Sequence, residues 1–63
     1  MKTTVMIPTY NERENIKSLI NDILSLDNDI SVVVVDDNSP DGTSQLVESS
    51  FSNNSRVDLI CRI

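Results

Sequence analysis

The chain has 63 residues, with five basic against ten acidic side chains and a net charge of −5. An acidic balance without a cluster of Lys or Arg argues against nucleic acid as a partner, because phosphate contacts dominate that affinity. The sequence has one Cys and no His, which excludes an intramolecular disulfide, a cysteine zinc cluster and Ser-His-Asp catalysis. No apolar run approaches the ~18 residues of a membrane span, and the stretch after Lys2 is too short for a signal peptide.

The first predicted elements are a strand and a helix. Residues 5–7, Val-Met-Ile, form an apolar run, and polar residues follow at once from Pro8 to Glu12. Asn11 is a favourable N-cap residue, and Glu14 three positions later completes a pattern like a capping box. One apolar face at helical spacing is then formed by Ile16, Leu19, Ile20, Ile23 and Leu24.

The second predicted strand ends in paired carboxylates. Residues 32–35 are four consecutive Val without polar alternation, which is typical of a parallel strand covered on both faces. Asp36 and Asp37 follow directly. In open α/β sheets ligands bind beyond the carboxyl ends of the strands. Two carboxylates at such a position are costly unless water, a metal or hydrogen-bond donors meet them, which favours a functional site.

A turn, a second helix and a third strand are predicted next. Residues 39–42, Ser-Pro-Asp-Gly, have the preferences of a type I turn, which Asn38 can stabilise, and Asp41 or Thr43 can cap the helix that follows. Three serines, at positions 44, 49 and 50, lower the helix propensity of this segment. An apolar stripe of Leu46, Val47 and Phe51 nevertheless favours a helix. Residues 57–60 predict a strand, and Cys61 is expected to be inert core.

These elements predict a β-α-β-α-β fold, half of a doubly wound α/β domain, with parallel strands in the order 3-2-1. A chain of 63 residues buries only about 60% of the surface that its unfolded form exposes, so its stability is marginal. The last residues are still strand-like, and the first strand keeps an open edge where a fourth strand would pair. We therefore expect residues 1–63 to be a single partial domain from a larger protein.

Two motifs and their spacing carry a family resemblance. Residues 8–15, PTYNEREN, are followed some twenty residues later by residues 35–43, VDDNSPDGT. Together they resemble the opening of a family 2 glycosyltransferase with a GT-A fold, in particular the polyprenyl-phosphate branch that includes the dolichyl-phosphate mannosyltransferases. The resemblance runs from Thr4 to about Ile60 and implies a Rossmann-like half that binds a nucleotide sugar. It covers about the first quarter of such an enzyme.

The resemblance implies which residues hold the sugar nucleotide. The candidate contacts are Pro8, Tyr10, Glu12, Val35 and Asp37. A carboxylate accepts hydrogen bonds from ring N–H groups or ribose hydroxyls, an aromatic ring stacks on the base, and apolar side chains wall it. Without the resemblance, the favoured interpretation of Tyr10 and Glu12 is a surface loop and a helix first turn, where Glu complements the helix dipole. Asp36, Asn38 and Asp41 stay open between ligand contacts and turn or cap residues.

A divalent cation, Mg²⁺ or Mn²⁺, is also implied, because an acidic site repels an anionic diphosphate. The resembled enzymes bind it with an Asp-x-Asp motif at the end of a fourth strand, so its ligands are expected outside this chain. Residues 27–29 do read Asp-Asn-Asp. They lie in the connection entering the second strand, at the edge opposite the site, and we interpret them as a turn.

The reaction implied for the full-length enzyme is transfer of a hexose, in particular mannose from GDP-mannose, to a polyprenyl phosphate such as dolichyl phosphate. The lipid phosphate oxygen attacks the anomeric carbon with inversion, and since that phosphate is already ionised no catalytic base is required. No residue of this chain is assigned as catalytic. The enzyme is expected on the cytoplasmic side, reaching the membrane surface through regions outside the chain.

Other functions fit the sequence less well. A nicotinamide-dependent dehydrogenase needs a Gly-rich turn after its first strand, and Gly42 is the sole glycine. Asp41-Gly42-Thr43 suggests a haloacid-dehalogenase-like phosphatase, but Ser39 stands where that family has its nucleophilic Asp. Two alternatives remain: a truncated, non-catalytic fragment, and a family 2 enzyme that uses UDP-glucose or another donor.

Overall fold

The structure is a computed structural model that describes residues 2–62. Five elements alternate along it, and the predicted β-α-β-α-β order is confirmed, the serine-containing second helix included. The elements are β1 (Thr3–Thr9), α1 (Arg13–Leu24), β2 (Ile30–Asp36), α2 (Thr43–Phe51) and β3 (Val57–Cys61). Below, the first loop denotes residues 10–12, after β1, and the second loop denotes residues 37–42, after β2.

The three strands form one parallel sheet in the order β1-β2-β3, as predicted. The central strand β2 places Val34 between Ile7 of β1 and Leu59 of β3. Within residues 2–62, no strand pairs with the other edge of β1. Because all strands run the same way, the first and second loops both leave the sheet at its carboxyl edge.

The core lies on one face of the sheet, where the two helices also contact each other. It consists of Ile16, Ile20, Val32, Val34, Val47, Phe51 and Val57. Within residues 2–62 the helices cover β2 on one face only, and not on both faces as expected. Val33 and Val35 are only half-buried, and on the same open face Met6 is 69% and Ile60 53% exposed. The strands are ordered in the sheet as they are in the chain, so both β-α-β crossovers move across the sheet in the same direction. Because such crossovers have the same handedness, both helices lie on the same face of the sheet.

Two further apolar residues are more exposed than predicted. Leu19 of α1 is 44% exposed, since it lies over the free edge of β1 rather than over the centre of the sheet. Cys61, expected in the core, is exposed because it ends the edge strand β3. Within residues 2–62, neither helix has the length and apolar character that a membrane span requires.

The predicted capping of α1 by Asn11 is wrong. Glu12 occupies the N-cap position without a side-chain cap, and Asn11 has a left-handed φ of 56°. The first N–H groups of the helix are instead accepted by side chains from the second half of the chain. Thr43 accepts the N–H of Glu12, and Asp41 accepts that of Arg13. Glu14 lies in the first turn, where its charge complements the helix dipole.

Candidate functional site

The first and second loops meet at the carboxyl edge of the sheet. The N–H of Asp37 donates to the carbonyl oxygen of Thr9 at 3.1 Å, which continues the β1–β2 pairing one residue beyond the strands. The predicted turn at residues 39–42 is present, since the N–H of Gly42 donates to the carbonyl oxygen of Ser39 at 3.4 Å. The residues that the sequence singled out therefore lie on one rim.

Asp36 is an internal residue of this rim. Its carboxylate is fully buried and accepts three hydrogen bonds, from the Thr9 hydroxyl at 2.8 Å and from the hydroxyl and N–H of Ser39 at 2.6 and 3.0 Å. Burial raises the pKa of the Asp36 carboxyl, but the Ser39 and Thr9 hydrogen bonds outweigh it and bring the pKa below its usual value. The donors that a buried carboxylate requires are thus supplied by the chain itself.

Asp41 joins the starts of both helices. One carboxylate oxygen accepts the N–H of Thr43 at 3.0 Å and also its hydroxyl, while the other accepts the N–H of Arg13 at 3.1 Å. The hydroxyl of Thr43 is the largest cause of the lowered pKa of Asp41, aided by the backbone N–H groups of Arg13 and Thr43 and by the charge of Arg13. Gly42 rather than Asp41 or Thr43 occupies the N-cap position of α2, but the Asp41 carboxylate, one residue earlier, accepts the first helical N–H, that of Thr43.

The first loop is held by two hydroxyl groups of the facing segment. The N–H of Asn11 donates to Oγ of Ser39 at 2.9 Å, and the N–H of Glu12 donates to Oγ1 of Thr43 at 3.1 Å. Asn38 also adopts a left-handed φ, 58°, in the second loop, as expected for an Asn that stabilises a turn. The backbone around Tyr10 is therefore defined by contacts almost thirty residues away in the sequence.

An open cleft of about 260 Å³ lies between the two loops. Four of the five predicted contacts line it: Pro8, Tyr10, Val35 and Asp37, together with Thr9 and Arg62. Pro8 and Val35 are register partners on the open face of the sheet. Tyr10 is 57% exposed and Asp37 is exposed, so both present polar groups to solvent at the cleft.

The fifth predicted contact, Glu12, lies outside this cleft. It lines a neighbouring pocket of about 190 Å³ beside the free edge of β1, together with Asn15 and Leu19. Glu12 is thus separated from the cleft by Pro8 and Thr9 of β1, which line both spaces.

Two cleft residues, Thr9 and Arg62, were not among the predicted contacts, and Arg62 is the one with a charged side chain. It directly follows β3, and its N–H donates to the carbonyl oxygen of Asp36 at 2.7 Å, so it extends the sheet by one residue. The signal was available, because the position after the third parallel strand must reach the same edge as the other two. The exposed guanidinium of Arg62 places a cation at the cleft, which is also lined by the Asp37 carboxylate.

The described residues do not form a metal centre of their own. Among residues 2–62, no group of three or more Asp, Glu, His or Cys side chains could hold a metal ion. The carboxylates of Asp36 and Asp41 are engaged by internal hydrogen bonds, which leaves Asp37 as the acid that lines the cleft. The Asp27-Asn28-Asp29 segment is a turn at the amino edge, where the N–H of Asp29 donates to Oδ1 of Asp27 at 3.0 Å.

Comparison with known proteins gives consistent matches. The family model for glycosyl transferase family 2 matches residues 4–62. The chain is 40% identical over 62 residues to polyprenol monophosphomannose synthase of Mycolicibacterium smegmatis, which covers 97% of this chain and 23% of that protein. It is 52% identical over 48 residues to dolichol-phosphate mannosyltransferase of Pyrococcus furiosus, covering 68% of this chain and 13% of that protein.

Two further matches extend the comparison. Poly(ribitol-phosphate) beta-N-acetylglucosaminyltransferase TarS of Staphylococcus aureus is 45% identical over 51 residues, which cover 76% of this chain and 9% of that protein. Among solved structures, mannosyltransferase PcManGT from Pyrobaculum calidifontis, in complex with GDP-Man and Mn²⁺, superposes with a TM-score of 0.76 at 30% identity, covering 97% of this chain and 19% of the other. The chain thus spans less than a quarter of the length of the curated relatives it matches. Its sheet is the Rossmann-like half of a GT-A fold, and the chain belongs to glycosyl transferase family 2.

Proposed function

We propose that this chain is the nucleotide-sugar-binding N-terminal part of a glycosyltransferase that transfers mannose from GDP-mannose to a polyprenyl phosphate such as dolichyl phosphate. The single observation that carries the proposal is the cleft at the carboxyl edge of the sheet, lined by Tyr10 and Asp37 from two adjacent strand ends. The names of two relatives support the mannosyl group and the lipid phosphate acceptor. The GDP-Man bound to the structural neighbour supports the nucleotide.

Each cleft residue has a group suited to part of such a donor. The ring of Tyr10 offers a flat face for the base, and the Asp37 carboxylate accepts hydrogen bonds from a ring N–H or a ribose hydroxyl. Pro8 and Val35 supply the apolar wall, and the Arg62 guanidinium can pair with a phosphate of the donor. Glu12 is retained as a candidate contact for a donor group that extends past Pro8.

The remaining parts of the reaction are assigned to regions outside this chain. The family resemblance implies that a Mg²⁺ or Mn²⁺ accompanies the diphosphate, and we assign its ligands to a strand end outside this chain. The same holds for the lipid acceptor and for any contact with the membrane surface on the cytoplasmic side. Residues 1–63 are therefore a partial domain, and we expect the isolated chain to be inactive and to bind nucleotide weakly or not at all.

One observation favours a second candidate. One relative, TarS, is 45% identical over 51 residues and is named as an N-acetylglucosaminyltransferase, which is not a mannosyltransferase. Tyr10, Asp37 and the apolar wall would suit uracil as well as guanine, because both bases present a ring N–H and a flat face. A family 2 enzyme that uses UDP-glucose or another donor is the alternative that the experiment must separate. A non-catalytic truncated product is the other.

The test is a titration of the full-length enzyme containing this chain with GDP-mannose and with UDP-glucose, each with Mn²⁺, followed by a transfer assay with dolichyl phosphate. We expect GDP-mannose to bind more tightly and its mannosyl group to appear on the lipid. Replacing the cleft carboxylate, Asp37→Asn, should weaken GDP-mannose binding about tenfold, because a charge-assisted acceptor is lost. Tighter binding of UDP-glucose would favour the second candidate, and no binding of either would contradict both.

A further inference from the structure

We propose that Ser39 and Thr43 are positioning residues for the sugar donor: their hydroxyl groups hold the first loop in the conformation that presents Tyr10 to the cleft. The proposal rests on the proposed function, because it concerns the same cleft. Neither side chain lines the cleft itself. Both act through the backbone of Asn11 and Glu12.

The two hydroxyls make the same pair of contacts. Ser39 donates its hydrogen to Oδ1 of Asp36 and accepts the N–H of Asn11, and Thr43 donates to Oδ1 of Asp41 and accepts the N–H of Glu12. An ionised carboxylate can only accept, so each hydroxyl must direct its one hydrogen towards the acid. Its lone pairs then face the first loop, where they accept an N–H. The carboxylates therefore set the direction of both hydrogen bonds to the loop.

The conformation of the first loop requires such support. Asn11 has a φ of 56°, in the left-handed region that costs energy for a residue with a side chain. The Asn11 N–H belongs to the peptide bond between Tyr10 and Asn11. Its hydrogen bond to Ser39 therefore fixes the orientation of that peptide bond, and with it the backbone that carries the Tyr10 side chain. Two consecutive N–H groups are held, and this leaves the loop little freedom to rotate.

The carboxylates that orient the hydroxyls are already ionised near neutral pH. Burial raises the pKa of Asp36, but the Ser39 and Thr9 hydrogen bonds reverse the shift, and the Thr43 hydroxyl lowers the pKa of Asp41. Thr43 is fully buried and Ser39 is 8% exposed, so water does not readily replace either hydroxyl. The supporting contacts therefore persist under the conditions in which the enzyme would work.

The competing explanation is that the two hydroxyls only stabilise the fold. The informative substitutions are Thr43→Val, which keeps the shape and removes the hydroxyl, and Thr43→Ser, which keeps the hydroxyl and removes a methyl group. Ser39→Ala tests the second hydroxyl. Ser49→Ala is the control, because Ser49 is an exposed residue of α2 whose hydroxyl contacts only the backbone of its own helix. All are made in the full-length enzyme.

The measurements are the Kd for GDP-mannose with Mn²⁺, the KM for each substrate and kcat, with thermal unfolding on the same samples. We expect Thr43→Val and Ser39→Ala to raise the donor Kd and KM about tenfold, with kcat at saturating donor and the acceptor KM within about twofold of the unsubstituted enzyme. Thr43→Ser should restore donor binding, and Ser49→Ala should not change it. Equal donor binding by Thr43→Val, or an equal loss in Thr43→Ser, would overturn the proposal.

A second measurement separates this proposal from the proposed function. Hydrogen exchange of the Asn11 and Glu12 amides, followed without nucleotide, reports the loop directly. We expect Thr43→Val to accelerate exchange at Glu12 and Ser39→Ala at Asn11, while Thr43→Ser and Ser49→Ala leave both protected. Unchanged exchange would show that the hydroxyls do not hold the loop, even if nucleotide binds. If the substitutions accelerate amide exchange as expected but the enzyme binds no sugar nucleotide, the hydroxyls do hold the loop. The proposed function is then contradicted, and with it the role of the loop in donor binding.

Discussion

The two ends of the sheet are closed by opposite chemistry. At the amino end one cation, the guanidinium of Arg56, donates to backbone carbonyl oxygens between α1 and β2; these belong to Leu24, Asp27 and Ile30. At the carboxyl end two carboxylates, Asp36 and Asp41, accept from hydroxyls and backbone N–H groups. The amino end satisfies carbonyl acceptors with a guanidinium, whereas the carboxyl end mainly satisfies donors with carboxylates, and Arg13 adds only long contacts, at 3.5 and 3.4 Å, to the carbonyl oxygens of Asp41 and Gly42.

The difference shows where a ligand can bind. The Arg56 contacts at the amino end tie three backbone segments together. The carboxyl end uses Asp36 and Asp41 for the same purpose but also leaves an exposed acid, an exposed Tyr and an exposed Arg around the cleft. Asp36 and Asp37 are adjacent in the sequence, yet one belongs to the internal support and the other to the cleft. The predictions below test that division.

The largest effect is expected at Asp36. Asp36→Asn replaces a buried acceptor of three hydrogen bonds with a group that also donates, so the hydroxyls and N–H that face it cannot all be satisfied. The free energy of unfolding should fall by about 3 kcal/mol. The matched control is Asp37→Asn, which should change stability by no more than about 0.5 kcal/mol because Asp37 is exposed. The free energies of unfolding of both variants are compared by urea unfolding. Equal losses of stability would contradict the division between an internal Asp36 and a cleft-lining Asp37.

Arg56 should have the next largest effect, at the other end. Arg56→Lys keeps the charge but loses the planar fork that reaches several carbonyl oxygens, which should lower the free energy of unfolding by about 2 kcal/mol. Lys17→Arg, at an exposed position of α1, serves as the control for the exchange of one cationic side chain for another. Affinity of the full-length enzyme for GDP-mannose should be unaffected by Arg56→Lys once the protein is folded. A weakened affinity would mean that the two ends are coupled through β2.

Acid should weaken the carboxyl end in a defined direction. The pKa values of Asp36 and Asp41 lie below 3.8 in the folded chain, so their contribution to stability is fully present above that pH and is lost as the pH falls through the folded pKa values. The charged groups that act on them are Asp41 for Asp36 and Arg13 for Asp41. Urea midpoints measured from about pH 6 to about pH 3 should be level and then fall. Asp41→Asn should make the fall shallower, and an unchanged slope would contradict its role.

Much of the fold was predictable because it depends on local patterns. The apolar runs of β1 and β2, the helical spacing in α1 and the Ser-Pro-Asp-Gly turn each identify an element from neighbouring residues alone, and the parallel arrangement follows from the crossover rule. The same rule implies that Tyr10 and Asp37 share one rim. Arg62 could have been placed by the same argument.

The errors concern contacts between distant parts of the chain. Asn11 has the right chemistry for a local cap, but the N–H groups of α1 find Thr43 and Asp41, about thirty residues later, and Asn11 takes a left-handed turn instead. The run of Val in β2 suggested that helices cover both faces of the strand. Which face the helices cover depends on the direction of the two crossovers, and the Val run does not encode that direction. Sequence patterns indicate which groups need partners, whereas the partners themselves depend on packing.

The smallest effect is expected at Gly42, whose backbone lets Asp41 reach both helices. Gly42 has a φ of 85°, so Gly42→Ala should cost about 1 kcal/mol of unfolding free energy. An added Cβ would also lie 2.7 Å from Nη1 of Arg13, but that is the end of a flexible side chain and can move away. Gly42→Asn should cost less than Gly42→Ala, because Asn tolerates left-handed backbone. Equal costs in urea unfolding would place the loss in the Arg13 contact rather than in the backbone, and the link between the second loop and α1 would then depend on the guanidinium as well as on the Asp41 carboxylate.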